Sequence, residues 1–75
     1  MIDLVKELRT INSKYNLNEN LKLKIITNDD KVFKAPFYGC TQALDNEPEI
    51  ASIELKMDGY ILSLYENEIK SIEVI

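Results

Sequence analysis

Chemistry needs reactive side chains held close together, and this chain offers few candidates. None of its 75 residues is histidine, so the usual general base and transition-metal ligand is absent. Cys40 is the one thiol. It has no histidine to activate it and no evident helix N-terminus to lower its pKa, so a packed or incidental thiol is expected rather than a nucleophile. Asp45, Glu47 and Glu49, with Asp29 and Asp30 earlier, are the carboxylates spaced closely enough to suggest a hard cation. The calcium-loop pattern, with its central glycine and terminal glutamate, is missing, and no metal site is assigned. There is no glycine-rich phosphate loop or serine-centred elbow, and so short a chain has little room for a substrate pocket. The expectation is a protein with no catalytic, cofactor-binding or metal-binding residues, and not an enzyme.

Binding surfaces are better represented. Lys22, Lys24, Lys34 and Lys56 alternate with apolar residues and form a candidate nucleic-acid face, where lysines would meet phosphates and an aromatic such as Tyr65 would stack a base. The competing reading is an ordinary solvated face whose lysines protect strand edges. Thirteen acidic against nine basic residues give a net charge of −4, which disfavours indiscriminate phosphate binding. Asp45, Asn46, Glu47 and Glu49 in one loop, and Glu66, Asn67 and Glu68 in another, form a candidate protein-partner surface, with Ile61 and Tyr65 beside it. Ile26, Ile61, Tyr65 and Ile75 fall away from the main apolar face or at an open end, where they favour association or fill a second side.

The elements that position these residues follow from periodicity. The chain reads as a single domain, 1–75, mainly β with an α+β order: a helix over about 2–14, then strands over about 21–27, 32–39, 50–57, 60–66 and 69–75. Leu4, Val5, Leu8, Ile11 and Tyr15 recur at helical spacing, with Asp3 placed to cap the start. From Leu21 the period is two. Ile53, Leu55 and Met57 alternate with polar residues, Asp58-Gly59 follows, and Tyr60, Leu62 and Leu64 continue the alternation. A two-residue loop of type I′, with positive φ at both positions, would pair Met57 with Tyr60, Leu55 with Leu62 and Ile53 with Leu64, placing six apolar side chains on one face. In the first hairpin a loop over Asp29 to Lys31 would oppose Ile25 to Ala35 and Leu23 to Phe37. Pro36 cannot donate to a ladder, so the second strand should bend, bulge or lie at an edge there. The expected architecture is a helix on a five-stranded, strongly bent antiparallel sheet or small barrel.

The closing run Tyr65-Glu66-Asn67-Glu68-Ile69-Lys70-Ser71-Ile72-Glu73-Val74, with the preceding order of elements, resembles the Sm-like and SH3-like small β-barrels. These pass from strand four to strand five through one short helical turn carrying an apolar residue, here Ile69. The resemblance covers nearly the whole chain in element order and implies rings formed by strand four of one subunit pairing with strand five of the next. It also implies RNA contact through the loops after strands two and four. This chain carries Asp45 and Asn46 in the first of those loops, and Glu66, Asn67 and Glu68 where the family has an Arg-Gly or similar signature. Carboxylates there repel phosphate.

The functional expectation is therefore a small non-catalytic protein-interaction module that self-associates, homo-oligomeric through its edge strands. An Sm-like RNA-binding protein is the alternative, and a phage or mobile-element inhibitor binding a host nucleic-acid enzyme is another. No apolar run approaches the ~18 residues of a membrane span, and no basic segment precedes an apolar one as in a secretory leader, so no membrane partner and a cytoplasmic location are expected. Ten isoleucines, eight lysines and seven asparagines against one arginine suggest AT-rich coding, as in a low-GC bacterium or phage.

Overall fold

Helix α1 spans Leu4–Tyr15 in the computed structural model, which describes residues 2–46 and 49–75. Two of its free N-terminal amides are held by carboxylates. Asp3, the N-cap, accepts from the Lys6 amide at 3.2 Å, and Glu66 from the far end of the chain accepts from the Leu4 amide at 2.8 Å. Its C-terminus closes on Asn16 in the left-handed region (φ 63°), while the Asn12 side chain accepts from Leu17 N at 2.8 Å. Leu4, Leu8 and Ile11 are buried, but Val5 and Tyr15, grouped with them by spacing, are exposed. Val5 sits about 100° round the helix from Leu4.

Five strands follow: β1 (Lys22–Thr27), β2 (Val32–Thr41), β3 (Ser52–Lys56), β4 (Ile61–Tyr65) and β5 (Ile69–Val74). They form one antiparallel sheet in the order β4-β3-β2-β1-β5. The sheet is not closed, because β4 and β5 are its outermost strands and do not pair with each other; of the two architectures expected, the bent sheet is the one formed. The bend lies in β2. Its first half pairs with β1, from Val32 to Pro36, and its second half with β3, from Phe37 to Thr41, with a bulge between Phe37 and Gly39. Pro36 explains the position. Thr27 and Phe37 donate to Lys31 and Leu21, so odd-numbered residues of this half of β2 bond to β1 and Pro36's missing donor falls on the β3 side, where that ladder begins.

The second hairpin has the register that its alternation requires: Ile53 opposes Leu64, Leu55 opposes Leu62, and Met57 N donates to Tyr60 O at 2.9 Å. The turn differs from the expected type I′. Gly59 has φ 87°, whereas Asp58 is not among the residues with positive φ. Positive φ at the second loop position alone is the type II pattern. Tyr60, assigned to the apolar face, is 58% exposed at the tip. The first hairpin is displaced by two residues from expectation. Leu23 opposes Ala35 and Ile25 opposes Phe33, around a loop of Asn28, Asp29 and Asp30. Asp30 occupies the left-handed position (φ 64°) that no glycine marks, and a two-residue shift leaves the apolar sets on the same face.

Inside the bend, the core joins Leu4, Leu8 and Ile11 of α1 to Leu23, Ile25, Ile53 and Leu55. A short 3-10 turn, Glu66–Glu68, leads from β4 into β5, and Ile69 behind it is 1% exposed. That turn is anchored to the first hairpin, since Asn28 donates from its backbone to Glu68 O at 2.9 Å and from its side chain to Asn67 O at 2.8 Å.

Candidate functional site

The bonding pattern of the outer strands determines what the sheet offers at its sides. In an antiparallel pair, alternate residues direct their N–H and C=O groups toward the partner and the others direct them away. Met57 N bonds to Tyr60 O and Glu66 N to Ala51 O, so even-numbered residues of β4 face β3 while Ile61, Ser63 and Tyr65 face outward. By the same logic Ile75 N bonds to Lys22 O, and Ile72 and Val74 of β5 face outward. The Tyr65 N–H is taken by the Glu68 carboxylate at 3.0 Å. Apolar side chains flank both edges. Ile61 is 43% exposed and Ile75 52%, while Leu62, Ile72 and Val74 pack against the core only in part.

The acidic segments meet at one end of the molecule. Ile50 O accepts from the Asn46 side chain and Ala51 O from Glu66 N, so adjacent carbonyls tie both loops to the start of β3. Asp45, Glu49, Asn67 and Glu68 are exposed. Glu47 lies outside the described residues. Glu66 is engaged with the start of α1 rather than free, and Asn46 also bonds to Ser52 Oγ at 3.0 Å.

The lysines divide between two surfaces. Lys22, Lys24 and Lys34 lie on the outer face of β1 and β2, with Lys24 directly opposite Lys34 on one side and Glu73 on the other. Lys56 lies beyond the bend, opposite Ile61. The outward-facing Ile26, between Val32 and Ser71, is half-buried, as is Tyr65. Among the described residues, the ion pairs join Lys31 to Asp29 and Lys70 to Asp30, so none involves these four lysines.

Sequence reasoning did not single out two further features. On the outer face of β3, Glu54 accepts from the hydroxyls of Thr41 and Ser52 at 2.8 Å and of Ser63 at 3.0 Å, linking three strands. The hairpin register already places Ser63 opposite Glu54; Thr41 depends on the bulge, which Pro36 places in β2 but whose effect on the β2–β3 register no local signal sets. The second is a groove of about 240 Å³ between α1 and the β2–β3 side, walled by Val5, Leu8 and Arg9 on the helix and by Cys40, Thr41 and Ala51 across from it. Partial burial pushes the Cys40 thiol above its ordinary 9.0, with the Glu54 carboxylate adding to the effect. Among the described residues no three metal-binding side chains are grouped, and no helix is long and apolar enough to cross a membrane.

Compared with protein-family models, with curated proteins and with solved structures, the chain matches none. Fold and surface thus define it only as a mainly β, α+β chain of one helix on an open five-stranded sheet.

Proposed function

We propose that this chain is a small non-catalytic protein-interaction module that self-associates, pairing β4 of one copy with β5 of the next. The observation that carries the reading is that both outermost strands present outward backbone groups beside partly covered apolar side chains. Pairing would satisfy the groups at Ile61, Ser63, Ile72 and Val74 and bring Leu62 of one copy against Ile72 and Val74 of another. The Sm-like resemblance leads to the same contact. The lone thiol, Cys40, fits a reducing compartment, and the cytoplasm is the proposed location.

The test is the mass of the intact assembly for the wild type and for Ser63→Pro. Proline at Ser63 removes a backbone donor directed at the free edge and no backbone donor directed at β3. The exposed hydroxyl bond to Glu54 is also lost, but Glu54 keeps its bonds from Thr41 and Ser52, so the subunit should still fold. Several copies for the wild type and fewer for the variant support the reading; a wild-type chain that stays single at high concentration rejects it.

One observation favours a second reading, in which the outer face of β1 and β2 binds single-stranded RNA. Lys24 and Lys34 stand directly opposite one another, and neither makes an ion pair among the described residues. Like charges in that position are destabilising, and a bound anion would offset them beyond what Glu73, beside Lys24 on the other strand, supplies. Retention of a short oligonucleotide that falls steeply with salt supports it, and no retention at low salt rejects it.

A further inference from the structure

Leu44 is 82% exposed, the most exposed large apolar residue among the described residues, and it stands on the 3-10 turn Ala43–Asp45 immediately before the exposed carboxylate of Asp45. Two residues earlier, Gln42 lines the groove between α1 and the β2–β3 side. A projecting apolar side chain and an apolar recess are therefore neighbours on one surface. At about 240 Å³ the recess falls below the roughly 300 to 1,000 Å³ of small-molecule pockets, yet it has room for one large apolar side chain.

The polar groups on the helix wall of the groove are donors. Arg9, the sole arginine, makes no ion pair with a carboxylate among the described residues. Asn12 uses its carbonyl oxygen to accept from Leu17 N, which leaves its amide nitrogen to donate. A guanidinium with an amide donor beside an apolar recess suits an apolar side chain followed by a carboxylate, and Leu44-Asp45 is that pair.

We infer that this surface is self-complementary: two copies meet about a two-fold axis beside residues 42–44, each Leu44 entering the other's groove and each Asp45 pairing with the other's Arg9. An isologous contact requires projection and recess on the same patch, as they are here. The inference rests on the reading of the chain as self-associating but uses a different surface. Where edge pairing closes a ring, the two-fold contact joins two rings face to face and makes the number of copies even.

The test is the assembly mass and dissociation constant for the full chain, Leu44→Ser, Arg9→Glu, Asp45→Arg and the double variant Arg9→Glu/Asp45→Arg. All these positions are exposed, so each variant should fold, which far-UV circular dichroism checks. Leu44→Ser and each single charge reversal should halve the number of copies or weaken pairing at least about tenfold, and the double reversal should restore it. Ser63→Pro should still form pairs. An unchanged mass and affinity in Leu44→Ser overturns this inference and leaves edge pairing standing. A wild-type pair that Leu44→Ser makes single upholds it and removes edge pairing. Failure of the double reversal to restore what the single reversals lose overturns the Arg9–Asp45 contact.

Discussion

Glu66 carries more of the fold than its place in an acidic turn suggests. Its carboxylate bonds to the amide of Leu4, 62 positions earlier, and so fixes the positive end of α1 to the turn between β4 and β5. Glu66→Ala should cost about 1 kcal/mol in urea unfolding, the usual loss for a capping carboxylate, and an unchanged midpoint would show that the contact is not made in solution. Asp29 gives a pH signature. The Thr27 hydroxyl, donating to its carboxylate, is the main cause holding Asp29 below its ordinary 3.8. A carboxylate with a lowered folded value contributes stability that is complete above the unfolded value and lost as pH falls through the folded one. The wild type's stability relative to Asp29→Asn, followed by denaturant unfolding, should therefore decline as pH falls through and below 3.8. A difference that does not change with pH would contradict the assignment.

At the scale of elements, the two hairpins show which information is local. The β3–β4 register follows from alternation on both strands together with a glycine at the turn, and the structure has that register. In the β1–β2 hairpin alternation fixes only which face is inward, because shifts of two residues preserve it. Asp30 then decides the register by taking the left-handed position, a role that aspartate fills with a conformational cost and glycine without one. Asp30→Gly should accordingly stabilise the chain by roughly 0.5–1 kcal/mol, since the exposed Lys70–Asp30 pair it removes is worth little. A lower unfolding midpoint would show instead that the ion pair outweighs the backbone. The same division governs the candidate surfaces. Lysines on outer faces were legible from period two, whereas the groove beside Arg9 depends on how α1 rotates over the sheet, and the role of Glu66 on a contact between the two ends of the chain.

At the scale of the molecule, net charge and edge chemistry act in opposite directions. Each copy carries −4, so copies repel one another, while the outward backbone groups and apolar side chains of β4 and β5 draw them together. Added salt screens the repulsion and should tighten edge pairing, followed by sedimentation in Leu44→Ser where the Arg9–Asp45 contact is lost, whereas RNA binding through Lys22, Lys24 and Lys34 would weaken. Loosening with salt would mean that charge complementarity, not edge pairing, holds the copies. The most direct test of edge pairing is amide hydrogen exchange at Ile61, Ser63, Ile72 and Val74. Their N–H groups point away from the sheet in a single copy, so at concentrations where copies assemble they should exchange as slowly as Ile53 and Ile25 inside the ladders, and revert on dilution. Rapid exchange at these four positions at every concentration would contradict the account.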